Sequence, residues 1–247
     1  MSRSYITFQI EAVPQEVARK FKRKFLASKG LLEQHLASTN LAANFPDPLS
    51  VSVTEYMPPI SRALLPAWEG HRGAMTFASL RVRQGRAAIV HELSHVYAPN
   101  QARFLAEGLA VYLEETIGNL EAYPTCGISV ENRLRDAGRP ALQSINLATF
   151  DRVSVGNGRS LGESVAINPQ FVRAENHGVY SYLVAGSFVR FLIASRGADK
   201  FKTLYEMTPL TPGKCTPLSP ERYKVCLGAT LPDLQNDWLE HSCRPTS

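Results

Sequence analysis

The stretch "IVHELSHVYAPNQARFLAEGLAVYLEE", residues 89–115, decides how this chain is interpreted. Its periodicity predicts two helices separated near Pro99, a residue that ends helices. On the first helix, His91 and His95 are four residues apart and share a face, so both imidazoles can bind one metal ion. Glu92 lies about a third of a turn further round, where it can bind a water molecule without becoming a ligand. The pattern predicts a metal site with its catalytic base; the alternative is a surface helix with an incidental match.

The second predicted helix supplies a third candidate ligand. Glu107 follows His95 after eleven intervening residues. An unpaired carboxylate would be costly at this point because the neighbouring positions are apolar; they are Phe104, Leu105, Leu109 and Tyr112. Two histidines and one glutamate that leave a fourth position for water are typical of catalytic rather than structural zinc. The sequence therefore predicts one zinc ion per chain, bound by His91, His95 and Glu107.

A second carboxylate on the same helix is a candidate for the outer shell of the site. Glu114 lies about two turns beyond Glu107, on nearly the same face. A carboxylate there can accept the second ring N–H of a ligand histidine, the usual outer partner of such a ligand. We expect this role for Glu114; the alternative is that Glu114 and Glu115 form the solvated end of the helix.

The two segments together carry a resemblance to a known family. "HELSHV" followed by "FLAEGLAVYLEE" resembles the zinc signature of the gluzincin metallopeptidases. It is most similar to the aminopeptidase N and leukotriene hydrolase type and to the compact bacterial domains related to them. In that group the second helix reads approximately N-E-G-x-A-x-Y-x-E, and Ala106 here replaces the Asn. The connection between His95 and Glu107 is shorter than in the aminopeptidases and similar to that of the smaller relatives. The matching positions are Glu107, Gly108, Ala110, Tyr112 and Glu114.

A downstream helix is similar to the one that carries the family's catalytic tyrosine. In "YSYLVAGSFVRFLI", residues 180–193, Tyr182 is followed three residues later by the small Ala185, which is the family's register. Gly186 adds room for close helix packing. The resemblance implies that the Tyr182 hydroxyl stabilises the oxyanion of the reaction. Tyr180 is the competing assignment.

An upstream segment bears on the substrate. "GAM", formed by Gly73, Ala74 and Met75, resembles the start of the G-A-M-E-N strand of the aminopeptidases. The resemblance implies that these residues bind an extended substrate by β-augmentation. Thr76 and Phe77 replace the Glu and Asn of that motif, so the anchor for a free amino terminus is missing. We therefore expect an endopeptidase rather than an aminopeptidase.

The resemblance implies an activity and a fold. The activity is peptide-bond hydrolysis by a zinc-activated water, with Glu92 as general base. The fold is α+β, a thermolysin or gluzincin-like catalytic domain. An N-terminal mixed α/β sheet lobe, residues 1–99, would end in the HExxH helix. Residues 100–247 would form a mainly helical lobe with a long loop at 118–170 and the Tyr182 helix, and the zinc site would lie in the cleft between the lobes.

Two other function classes stay open. In the first, a peptidase scaffold binds zinc but serves as an interaction module, with loop 118–170 as its surface. In the second, the chain is a metal-dependent hydrolase of a non-peptide amide or ester. The intact Glu92 argues against the first, because a binding module needs no general base.

Net charge and the lengths of the apolar runs bear on which classes of molecule the chain is expected to bind. The 247 residues carry a net charge of +5, and much of the positive charge lies in "ARKFKRKF", residues 18–25. Phe21 and Phe25 recur there at helical spacing, so the lysines and arginines are expected to form a solvated helix face. No nucleic-acid motif accompanies them, and nucleic-acid binding is not expected. No apolar run approaches the ~18 residues of a membrane-spanning helix, so none is expected. The partner that the gluzincin resemblance implies is a peptide or protein substrate.

The four cysteines bear on the compartment. They contain no C-x-x-C pair, and a disulfide between Cys215 and Cys226 could close a Pro-rich loop. An even cysteine count favours export to the periplasm or the medium, although no signal peptide is visible in this chain. The alternative is a cytoplasmic protein with free thiols. The other two cysteines are Cys126 and Cys243.

Patterning also predicts the elements. Strands are expected within residues 5–10, 49–56 and 73–82, and loops at 57–73 and 118–170. Helices are expected at about 14–38, 86–97, 100–118, 179–197, 198–207 and 231–241.

Overall fold

The structure is a computed structural model. It describes residues 5–39, 41, 48–55, 61–64, 73–155, 160–165, 167–168, 170–210 and 219–242. The chain divides into two compact units. The first contains residues 1–99 and 113–127, and the second contains residues 100–112 and 128–247. Residues 113–127, predicted with the helical lobe, thus belong to the first unit.

The first unit combines a small sheet with helices, as the sequence predicts for the N-terminal part. Its elements are β1 (Ile6–Ile10), α1 (Gln15–Ser38), β2 (Leu49–Thr54), β3 (Arg62–Leu64), β4 (Ala74–Ala78), α2 (Ser79–Arg83), α3 (Ile89–Tyr97) and the second half of α4 (Arg103–Ile117). The described strands form one sheet in the order β1-β2-β4-β3. Strands β1, β2 and β4 are parallel, and β3 pairs antiparallel with β4 at one edge.

Helix α1 and the sheet form an aromatic core in this unit. The rings of Phe21 and Phe77 lie 5.2 Å apart, and those of Phe8 and Phe25 lie 5.6 Å apart, both edge to face. Each fully buried ring stabilises the fold by about 1.5–3 kcal/mol. The basic side chains within residues 18–25 are exposed on the other face of α1, as predicted.

Two element predictions in this unit are wrong. Residues 73–82 were expected to form one strand, but β4 ends at Ala78 and α2 follows. The register of β2 ends where Thr54 faces Ala78, so later backbone groups have no ladder partner there and bond within a helical turn instead. Residues 57–73 were expected to be a loop, but they contain β3, which at three residues is too short to show an alternating pattern.

The second unit is helical in its described part. Its elements are the first half of α4, then α5 (Val130–Ala137), α6 (Arg139–Gln143), α7 (Leu147–Asp151), α8 (Leu161–Ser164), α9 (His177–Arg196), α10 (Ala198–Glu206), α11 (Pro220–Leu227) and α12 (Leu231–Ser242). The core centres on Phe188, whose ring lies 5.7 Å from Phe104 and 6.2 Å from Trp238. The chain is therefore of the predicted α+β class, with most described residues in helices.

The segment expected to be an irregular loop contains four short helices. Residues 118–170 contain α5 to α8, capped by side chains such as Ser129 and Ser160 and interrupted at Gly138. Helices of four to eight residues span about one to two turns, so an apolar face hardly repeats within them. The α11 helix was missed for the same reason.

Helix α9 is the one described helix long and apolar enough to cross a membrane. Because 61% of its apolar window is buried within the protein, it has the character of a core helix, which passes the same length and composition test. Cys126 and Cys226 are free thiols. Cys215 and Cys243 lie outside the described residues, so the Cys215–Cys226 bridge and export stay predictions.

Candidate metal centre

The two histidines of the HExxH segment face each other on α3. Their Nε2 atoms lie 3.2 Å apart, and the ring centroids are 4.8 Å apart with the planes nearly perpendicular. His91 is buried and His95 is half-buried. A helix of nine residues places both rings on one face because four residues exceed one turn only slightly. The helical backbone therefore places both imidazoles on the same side of α3.

Glu107 completes a group of three possible ligands. One donor atom each from His91, His95 and Glu107 lies within 4.8 Å of the other two. Two donors bound to zinc at 2.0–2.1 Å in a tetrahedral arrangement lie about 3.3 Å apart, which agrees with the distance between the histidine nitrogens. The three predicted ligand residues therefore form a group that could hold one metal ion, and zinc as that ion stays a prediction.

Glu114 positions the start of α3. Its carboxylate oxygens accept the backbone N–H of His91 at 2.7 Å and that of Asn119 at 2.8 Å. The first N–H groups of a helix lack intrahelical partners, so Glu114 acts as a cap supplied by another helix. Burial raises the pKa of Glu114, although these two N–H groups and the charge of His91 lower it. The sequence predicted a bond to a histidine ring; the bond that the structure shows goes to the histidine backbone.

Glu92 directly follows His91 on α3. It is 6% exposed and does not belong to the group of three donors. Its role as general base stays a prediction.

Arg103 connects the Glu107 carboxylate to Tyr182. Its guanidinium lies 3.2 Å from Oε1 of Glu107, one helical turn away, and forms a hydrogen bond with the Tyr182 side chain. Burial alone would lower the pKa of Arg103, but the negative charges of Glu107 and Glu163 and the hydrogen bond with Tyr182 raise it. The arginine therefore stays charged. Sequence analysis missed Arg103; its only signal is the Arg-to-Glu spacing of four, which is equally typical of a surface ion pair.

Close packing of α4 on α9 brings these groups together. A Cβ atom on Gly108 would lie 2.5 Å from the carbonyl oxygen of Ala185, and one on Gly186 would lie 2.4 Å from a methyl group of Val111. Neither position has room for a side chain. The two glycines let the helix backbones approach near Glu107 and Tyr182, which is the close packing that the sequence predicted for Gly186.

The two candidate tyrosines of α9 differ in their surroundings. Tyr180 is buried at 6% exposure, whereas Tyr182 is half-buried and bonded to Arg103 next to Glu107. A residue that meets substrate needs an accessible hydroxyl near the site. The surroundings favour Tyr182 over Tyr180.

The predicted substrate strand does not have a free edge. Ala74 and Met75 pair with β2 on one side and with β3 on the other, and Gly73 is buried. An extended peptide therefore cannot add to β4 at residues 74–76, which corrects the β-augmentation predicted there. A substrate-binding role of Gly73, Ala74 and Met75 by other contacts stays a prediction. The sequence could not show this, because β3 is not visible in the pattern. Within the described sheet, β3 is the edge next to β4, and it packs against α3.

Comparison of the sequence with known protein families and with curated proteins gives no match.

Proposed function

We propose that the chain is a zinc-dependent metallopeptidase of the gluzincin type. The observation that carries the proposal is the group formed by His91, His95 and Glu107, three metal-binding side chains held on two successive helices with donor atoms within 4.8 Å. Imidazole and carboxylate together are common zinc donors, and two of the three side chains are buried. Zinc supplies Lewis acidity, which lowers the pKa of water to near 7 at such sites.

The other residues then have separate roles. Glu92 accepts a proton from the attacking water and returns it to the leaving amine, which requires a carboxylate close to the ligands but not among them. Tyr182 donates a hydrogen bond to the oxyanion. Glu114 keeps the first turn of α3, and with it His91, in place.

We favour an endopeptidase over an aminopeptidase. Thr76 stands where the aminopeptidases have the glutamate that binds a free amino terminus, so the anchor for an exopeptidase substrate is missing.

The experiment compares Glu92→Gln with wild-type protein on a mixed peptide library, with zinc content measured on the same samples. The variant is expected to keep zinc and lose nearly all turnover, because glutamine cannot accept the proton. The control is Glu121→Gln, an exposed glutamate that pairs with Arg86 at 3.5 Å, which should keep full turnover.

Three outcomes would contradict the proposal in different ways. Equal turnover in Glu92→Gln rejects the mechanism. Zinc without wild-type turnover on peptides, but with cleavage of small amides or esters, identifies a non-peptide hydrolase. Zinc without turnover on either substrate class identifies an interaction module.

A further inference from the structure

Arg103 occupies an unusual position for a cation. It lies one turn from Glu107 on α4 and is 25% exposed, while the Glu107 side chain is 7% exposed. A positive charge 3.2 Å from a metal-binding carboxylate opposes cation binding by Coulomb repulsion. Such an arrangement weakens a metal site unless the arginine contributes something that offsets the repulsion.

Arg103 makes two directed contacts at once. One guanidinium nitrogen lies 3.2 Å from Oε1 of Glu107, and the group also donates to the hydroxyl of Tyr182 on α9. Glu163 adds a third, electrostatic contact. A guanidinium can serve two acceptors in fixed directions because its donors form a rigid, planar fork, whereas an ammonium is a point charge.

We propose that Arg103 is a positioning residue that holds one oxygen of Glu107, so that the other oxygen alone faces the metal, and that aligns the Tyr182 hydroxyl. This rests on the proposed metal site and deepens it. Arg103 does not touch the reacting atoms. It fixes the carboxylate in one orientation and couples a ligand on α4 to a hydrogen-bond donor on α9.

The contribution of each contact can be separated by substitution. Arg103→Gln removes the charge and the fork, so Glu107 becomes free to offer both oxygens to the metal. Arg103→Lys keeps a charge that can reach Glu107, but it cannot hold Tyr182 in the same direction at the same time. Arg190 provides a matched control because it is half-buried on α9 and lies 3.9 Å from its own partner, Glu131.

The experiment uses the full chain loaded with Co²⁺ in place of zinc, since the visible absorption of Co²⁺ reports its coordination number. Arg103→Gln is expected to bind one Co²⁺ with weaker absorption, as a second carboxylate oxygen joins the metal. Arg103→Lys is expected to restore the wild-type spectrum. Both variants should show kcat at least about tenfold lower with KM within about twofold, because only alignment in the transition state is lost. Arg190→Gln should match wild type in both measurements.

A wild-type Co²⁺ spectrum in Arg103→Gln would overturn the proposal, as would full recovery of kcat by Arg103→Lys. A spectrum that changes equally in Arg190→Gln would also overturn it, because a general packing effect would then explain the change. If the wild-type chain binds neither Co²⁺ nor Zn²⁺, the proposed function fails as well. The first three results leave the metal site intact and reject only the role of Arg103.

Discussion

Helix α4 carries two buried glutamates seven residues apart, and their partners differ. Glu114 accepts two backbone N–H groups, from His91 and Asn119, so each of its carboxylate oxygens has a hydrogen bond within the fold. Glu107 lies instead beside a guanidinium and two imidazole nitrogens, partners that can share it with a cation. The difference shows how to tell a structural carboxylate from a candidate ligand on the same helix. Backbone N–H groups hold Glu114 in place, whereas side chains surround Glu107.

The same substitution at both glutamates should give opposite results, and this is the largest effect that we expect. Glu107→Gln should weaken zinc binding more than about 100-fold, because loss of a ligand exceeds the 10- to 100-fold cost of losing an outer partner. Glu114→Gln should still bind one zinc. Zinc titration calorimetry on both variants measures this. Similar zinc affinities in the two variants would remove the distinction between the carboxylates.

The second effect is on the free energy of unfolding, and here Glu114→Gln should have the larger effect of the two variants. Glu114→Gln should lower the free energy of unfolding by about 3 kcal/mol, because an amide group replaces one acceptor and leaves a buried backbone N–H unsatisfied. Glu107→Gln should change it by less than about 1 kcal/mol in the absence of metal, since Arg103 keeps Tyr182 as a partner. Urea denaturation with and without a chelator separates the effect of each substitution on the fold from its effect on metal binding. Greater destabilisation by Glu107→Gln would show that the ion pair with Arg103 is the structural one.

The third effect concerns the half of α4 that carries Glu107. Gly108→Ala should destabilise the protein by about 2 kcal/mol, because its Cβ would lie 2.5 Å from a backbone carbonyl of α9. Gly30→Ala is the control. Gly30 lies within α1, and a Cβ at this position would have nothing within 4 Å, so alanine there should stabilise by about 0.5–1 kcal/mol. Thermal unfolding of both variants measures the two effects, and equal shifts in Tm would contradict the close contact of α4 and α9.

The fourth effect concerns a third buried carboxylate, Asp151, whose hydrogen-bond donor is a tyrosine hydroxyl. Asp151 is 2% exposed and accepts a hydrogen bond from Tyr223 at 3.1 Å, while its Oδ2 atom has no hydrogen-bond partner among the described residues. Burial raises the pKa of Asp151 to about 7. The folded chain therefore binds a proton that the unfolded chain releases near pH 4, so this group's contribution to stability falls as the pH rises from about 4 to 7.

Asp151→Asn should remove this pH dependence of the free energy of unfolding. The variant should be more stable than wild type at pH 8 by about 1–2 kcal/mol, less than a three-unit pKa shift would give, because a buried amide must also be desolvated. At pH 4 the two proteins should be equally stable. Denaturation across this range measures the difference, and a stability gap that does not change with pH would show that Asp151 is ionised in the folded chain.

Much of the site was visible in the sequence because helical periodicity determines it. The spacing of His91 and His95 and the break at Pro99 predicted a pair of imidazoles next to a second helix, and the small residues after Tyr182 predicted close packing. The α+β class also followed from alternation and periodicity in the long elements.

The remaining features depend on which segments become neighbours in the folded chain, and the sequence pattern does not show this. Strand β3 has three residues and exists through its pairing with β4, so pattern alone could not find it. The partner of Glu114 could not be distinguished between a ring and a backbone N–H, since both belong to His91. Arg103 has the spacing of an ordinary surface pair and differs only because α9 brings Tyr182 to it.

The measurement that tests the central claim most directly is the zinc content of the purified chain by inductively coupled plasma mass spectrometry. Wild-type protein is dialysed against limited zinc beside His91→Gln and, as a histidine control, His177→Gln. We expect about one zinc per chain in wild type and in His177→Gln, and none in His91→Gln. No zinc in the wild-type chain, or equal zinc in all three proteins, would contradict a metal centre at His91, His95 and Glu107.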